Sequence, residues 1–226
     1  MRLIQLLSAS FAVLAIASSS SARASACDEE PYDVDELLAQ LLALEKAIID
    51  QHDEVAAVLA ASMQRRLPCL DGWVPGALFE RLSHAMGAGH HLGADERNAG
   101  LWARIAAEAG RETPFREDEL SPEHPLWALH ASWRALPVDE PETLDGLVFK
   151  DEFYLNGRRA SLPSARPGRY NLLQRKEGGR YQTWLIVGAS FPESVLVPAP
   201  EPTAEARKWW RRRPRMGGCI VTLESE

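Results

Sequence analysis

Phe153-Tyr154-Leu155-Asn156-Gly157 is the stretch that decides the fold. Asn-Gly between apolar flanks suits a two-residue turn with positive φ at both central positions, the strongest short-range hairpin signal. Moving outward, short β-branched and aromatic runs begin at Leu147. Further on, Tyr170 to Arg175 and Tyr181 to Val187 flank Glu177-Gly178-Gly179, which reads as a second hairpin. Together these segments predict a small antiparallel β-domain of about four to six strands over 143–197, closed by the proline-rich stretch Pro192 to Pro202.

Upstream the periodicity changes from two to helical. From Asp33 to Asp50, Val34, Leu37, Leu38, Leu41, Leu44 and Ile48 form one apolar stripe. Asp33 is a suitable N-cap, with Glu36 three residues on. A second helix is expected from Asp53, with Val55, Val58, Leu59 and Met63 on one face, until Leu67-Pro68 stops it. A third starts near Pro75 and carries Leu78, Phe79, Leu82 and Met86, with Gly87 and Gly89 fraying its end. A fourth spans Ala94 to Ala109 with Leu101, Trp102 and Ile105 inward, and Gly110 stops it. An acidic, proline-bearing link from Thr113 to Pro125 leads to a short fifth helix, Leu126 to Ala135. The expected fold class is α+β: helical hairpin repeats over 33–135, followed by the small antiparallel β-domain.

The chain starts with Met1-Arg2, an apolar run from Leu3 to Ala17, a serine tract and Ala24-Ser25-Ala26 just before Cys27. Charged start, apolar middle and small-residue cleavage site give residues 1–26 the layout of a secretory signal peptide. The run is too short for a spanning helix, which needs about 20 residues. An exported protein, periplasmic or extracellular, is therefore expected. In an oxidising compartment Cys27, Cys69 and Cys219 invite a disulfide. Cys27 opens the first helical segment and Cys69 closes the second, so a helical hairpin brings them together. A bridge there closes a loop of about 40 residues and contributes about 4 kcal/mol through chain entropy. The alternative is a lipid anchor on Cys27 after lipoprotein-type cleavage.

The 226 residues hold 25 Lys plus Arg and 32 Asp plus Glu, for a net charge of −7. Loss of Arg2 and Arg23 with the leader leaves 23 basic residues against 32 acidic ones, a charge near −9. Such a surface repels nucleic acid, so no nucleic-acid partner is expected. Against that background, residues 198–226 are proline-rich and then basic. Arg207, Lys208, Arg211, Arg212, Arg213 and Arg215 surround Trp209-Trp210. Indole and cations in one stretch suit a peripheral membrane contact or an acidic partner; the alternative is a solvated terminus.

Sites of chemistry are sparse. His84 and His91 lie seven residues apart, with Glu80 one turn before His84, a set able in principle to hold zinc. No H-E-x-x-H or paired-cysteine spacing accompanies them, and no Gly-x-Ser-x-Gly elbow or phosphate loop occurs. Glu117-Asp118-Glu119 sits in a linker without calcium-loop spacing. No catalytic residue, metal or cofactor is expected. Trp73, Trp102, Trp127 and Trp133 read as core or inter-helix packing.

Helical segments followed by Tyr154-Leu155-Asn156-Gly157, with Leu162-Pro163 and Arg166-Pro167 downstream, resemble a class of exported bacterial proteins. These join a tetratricopeptide-like helical half to a small PEGA-like β-domain. Leu67-Pro68-Cys69-Leu70 and Ser121-Pro122-Glu123-His124-Pro125-Leu126 add to the likeness, which covers most of 33–197. The resemblance implies a non-catalytic interaction or scaffold module of the cell envelope, binding a protein or a wall polymer. A secreted metal-dependent hydrolase using His84 and His91 is the alternative from a different class.

Overall fold

The fold was traced in a computed structural model that describes Cys27, residues 32–108, Ser121 and residues 123–200. The helical half holds α1 (Val34–Ile49), α2 (Asp53–Arg66), α3 (Gly76–Leu92), α4 (Glu96–Glu108) and α5 (Leu126–Arg134). Two short strands frame its first hairpin: β1 (Tyr32–Asp33) lies parallel to β2 (Leu70–Asp71). The strand half follows, so the architecture is α+β, helices first and antiparallel strands after. The link expected from Thr113 falls outside the described residues as far as 120, as does Gly110.

α1 forms where its sequence says it should. Asp33 Oδ1 accepts the Glu36 backbone N–H at 2.8 Å, capping the helix, and Leu37, Leu41, Leu44 and Ile48 are buried at helical spacing. α2 departs from expectation. Val55 and Val58 face solvent, whereas Ala56, Ala60 and Met63 are buried. The reason lies on α3, where a Cβ placed on Gly89 would stand 2.7 Å from Ala60 Cβ. Alanine meeting glycine lets the two helices approach closely, and the bulkier valines turn outward.

α3 does not fray at Gly87 and Gly89 but continues to Leu92. Every residue from Leu82 to His90 is buried, so this helix is enclosed by its neighbours. Two helix-interior glycines cost about 1 kcal/mol each relative to alanine. Here they form notches: a Cβ at Gly87 would stand 2.9 Å from Trp133 Cη2, so only glycine admits the α5 indole.

α4 contributes Trp102, which is fully buried. Its Nε1 donates to Gln64 Oε1 at 2.9 Å, Gln64 Nε2 donates to the Tyr170 hydroxyl at 3.0 Å, and that hydroxyl donates to Asn98 Oδ1 at 2.5 Å. The chain of bonds ties α2 and α4 to the strand half. Tyr170 and Leu172 belong to the same apolar core as the helices.

The strands are β3 (Glu142–Thr143), β4 (Leu147–Phe149), β5 (Phe153–Leu155), β6 (Arg158–Ala160), β7 (Ser164–Ala165), β8 (Tyr170–Glu177), β9 (Arg180–Val187) and β10 (Leu196–Pro198). Four form one antiparallel sheet in the order β6-β5-β8-β9. β10 with β4 and β3 with β7 make two further antiparallel pairs. Both hairpins close as the sequence predicts. Asn156 and Gly157 have φ of 52° and 74°, and Gly178 and Gly179 have 59° and 89°.

Period-two alternation gives the sheet two different faces. Phe153, Leu173 and Ile186 pack outward on a second core with Phe149, Phe191 and Val195. Tyr170, Leu172, Gln174 and Thr183 face the helical side. At the opposite end, Arg169 is buried in an ion pair with Glu108, which Arg166 Nε also approaches at 3.0 Å, while Arg104 pairs with Asp139 at 2.8 Å. Burial pushes the Arg169 guanidinium down to about 10, still charged at neutral pH, so Glu108 is its necessary counter-ion.

Candidate functional site

The loop from Asp71 to Pro75 crosses the helix-facing side of the sheet near the turn between β8 and β9. Asp71 Oδ1 accepts the Tyr181 backbone N–H at 2.8 Å, and its other oxygen pairs with Arg180 Nε at 3.3 Å. Next along the loop, fully buried Gln174 grips the backbone on both sides of Trp73. Its Nε2 donates to the Gly72 carbonyl at 2.8 Å and its Oε1 accepts the Val74 N–H at 3.0 Å. Thr183 braces this arrangement, donating from Oγ1 to the Leu70 carbonyl at 2.7 Å while accepting from Gln174 at 3.1 Å. The tip of the β5–β6 hairpin supports the far end, for a Cβ on Gly157 would fall within 2.6 Å of the Pro75 carbonyl carbon.

Trp73 is therefore held by a saturated buried network yet is 43% exposed. Its ring lies 6.3 Å from that of Tyr154, tilted by 58°. Tyr154 sits in β5 directly opposite Arg159 of β6 and Gln174 of β8. Its hydroxyl donates to Glu152 Oε1 at 2.9 Å, and Arg159 Nε lies 3.3 Å from the same carboxylate. That hydrogen bond pushes the phenol above its ordinary range, so it stays a neutral donor. One row further, Lys176 Nζ sits 6.0 Å from the centre of the Tyr181 ring. Aromatic rings and cations thus share one rim, with Asp71 and Glu152 orienting Arg180 and Arg159. Among the described residues Lys176 has no carboxylate partner.

Trp73 corrects an expectation, since its sequence context suggests core. Trp102 and Trp133 are buried, and half-buried Trp127 donates its Nε1 to the Ser121 carbonyl at 2.8 Å. Of the rim, the cross-strand pairs Tyr154–Arg159 and Lys176–Tyr181 could have been found from sequence, the latter by the same rule applied to the Gly178-Gly179 turn. In a two-residue hairpin around Asn156-Gly157, Tyr154 and Arg159 are necessarily opposite and share a face. Exposure of Trp73 depends on where its loop docks, over a hundred positions away in sequence, and no local pattern encodes that.

Cys27 and Cys69 form the expected disulfide, with Cα atoms 5.0 Å apart. The bond uses Cys27 Sγ, the atom a lipid thioether would need. Trp209, Trp210, Arg211, Arg212 and Arg213 lie outside the described residues, as does Cys219.

The His84 and His91 metal set does not assemble. Seven residues share a helical face, but two turns separate them by about 10 Å, too far for one ion. His84 is buried against His130, ring centres 5.1 Å apart, and His130 stacks on Trp133 at 5.0 Å. His91 is half exposed at the end of α3, 3.2 Å from Glu96. Glu80 lies 3.6 Å from Arg158 instead of facing a metal. Among the described residues no three His, Cys, Asp or Glu side chains are grouped to hold an ion. Burial, with His84 and Arg134 adding to it, pushes His130 down to about 3, and burial also holds His90 below its usual value beside Asp95. Both rings are neutral at physiological pH and read as packing groups.

No protein-family model, no curated protein and no solved structure matches this chain.

Proposed function

We propose that this chain is an exported, non-catalytic interaction module of the cell envelope, and that the rim around Trp73 is its binding face for an envelope polymer. The observation that carries the reading is the combination at Trp73: a large ring left in solvent while its backbone is fixed by buried hydrogen bonds to Gln174. An exposed indole on a rigid support is suited to contact, because its conformational entropy is spent in folding and not on binding. Export is supported by the leader-like residues 1–26 and by the Cys27–Cys69 bridge, which persists in oxidising compartments. That bridge also favours ordinary cleavage over a Cys27 lipid anchor. The helical hairpins α1–α2 and α3–α4, on which the tetratricopeptide-like reading rests, serve here as the support. The Trp209–Arg213 stretch is retained as a peripheral membrane contact.

Sedimentation with isolated cell-wall polymer tests the reading. The purified chain is expected to pellet with the polymer at micromolar concentration, and Trp73→Ala to remain in the supernatant. Native protein that begins at Met1, fractionates with cytosol and never pellets would overturn it.

A further inference from the structure

We infer that the rim formed by Trp73, Tyr154, Arg159, Lys176 and Tyr181 takes an acidic glycan, a chain of carboxylate-bearing sugars. The inference rests on the proposed polymer-binding role and names its ligand class. Two kinds of group meet here, and each excludes part of the alternatives. The Trp73 and Tyr154 rings, 6.3 Å apart and tilted by 58°, offer adjoining apolar surfaces to the C–H faces of sugar rings, with phenol and indole edges left for hydroxyls. A purely electrostatic partner has no use for them.

The second kind is charge. The whole chain carries −7, so a polyanion is repelled from most of its surface. On this rim three cations, Arg159, Lys176 and Arg180, stand against two carboxylates, Glu152 and Asp71, a local excess of one positive charge. The two carboxylates hold their arginines in place, with planar N–H donors still presented to solvent, the geometry that recognises a carboxylate. Lys176 lies over the Tyr181 ring and supplies the uncommitted charge. A neutral glycan could accept hydrogen bonds from these cations but would draw no Coulombic attraction from them. Local charge complementarity against a repelling background selects an anionic ligand, and the paired rings select a saccharide.

The test uses the full chain with its disulfide intact, titrated with an octamer of galacturonic acid and followed by calorimetry and tryptophan fluorescence. Saturable binding that weakens as salt rises is expected. Trp73→Ala should weaken it by about tenfold or more, as expected for loss of a stacking ring, and Trp73→Tyr should recover part of it. Lys176→Gln should weaken it by about threefold and reduce its salt dependence. Thermal unfolding should show all three variants folded and cooperative, with midpoints within a few degrees of the parent's. Equal binding of a neutral octamer of galactose would overturn the role of the cations. Equal binding of polyglutamate, insensitive to Trp73→Ala, would replace the glycan with an acidic peptide. Retention on phosphatidylglycerol vesicles in place of the octamer would point to a lipid surface. If no octamer binds while the chain still pellets with wall polymer through Trp73, the ligand class fails and the binding face stands. If Trp73→Ala pellets like the parent, the face itself fails.

Discussion

Trp102 and Trp73 are the same residue type in opposite circumstances. Trp102 is fully buried, flanked by Phe79 and Tyr170 with ring centres 6.0 and 4.9 Å away, and its N–H is bonded to Gln64. Trp73 sits on a loop, open to solvent, while the polar groups beneath it are satisfied by Gln174 and Thr183. Around Trp102 the polar bonds serve the ring. Around Trp73 they serve the backbone and leave the ring free. The difference separates a group whose contribution is stability from one whose surroundings contribute stability while it stays available.

The largest effect expected from this contrast is on Trp102. Trp102→Ala should destabilise by about 3–5 kcal/mol in denaturant unfolding, since it removes a large ring from a packed core. A small loss there would erase the distinction. Replacing Cys27 and Cys69 together by serine should cost about 4 kcal/mol, as expected for a 42-residue separation. The loss should show as a drop in Tm that reducing agent reproduces in the parent protein.

Next comes the enclosed helix. Gly89→Ala should cost about 1–3 kcal/mol, because the added methyl meets Ala60 and Leu44. The same change at Gly100, where nothing lies within 4 Å of the new carbon, should stabilise by up to about 1 kcal/mol. This pair sharpens the difference between packed and open sites on neighbouring helices.

A pH effect follows from His130. Its folded value of about 3 lies below the unfolded value of 6.5, so the unfolded chain takes up the proton first as pH falls. Stability is full above about pH 6.5 and declines from there toward about pH 3. His130→Phe, which keeps a ring on Trp133, should make that acid limb shallower in unfolding measured across pH, with the His90 contribution remaining. The smallest effect is the most telling. Trp73→Ala should cost no more than about 1 kcal/mol, since its ring is only partly covered, and a loss as large as that of Trp102→Ala would make Trp73 a core residue after all.

Local rules made much of the fold legible. The α1 cap at Asp33, the turns at Asn156-Gly157 and Gly178-Gly179, the α5 boundaries and the Cys27–Cys69 bridge all depend on neighbours in sequence or on simple hairpin geometry. Long-range packing accounts for the errors. Valine outranks alanine on any hydrophobicity scale, so Val55 and Val58 look like the buried face of α2 until glycine on α3 favours the smaller residues. Gly87 looks like a break until Trp133 fills it. The exposed setting of Trp73 was hidden for the same reason. Gln174 is an unremarkable strand residue in sequence, and its grip on the loop around Trp73 exists only once sheet and loop meet.

Hydrogen exchange of the intact chain, with and without the galacturonate octamer, tests the central claim most directly. Slowed exchange is expected at 71–75, 153–160 and 174–182, with 82–90 in the enclosed helix unchanged because it is already protected. Slowing confined to the helical half, with the loop around Trp73 exchanging as before, would contradict the account.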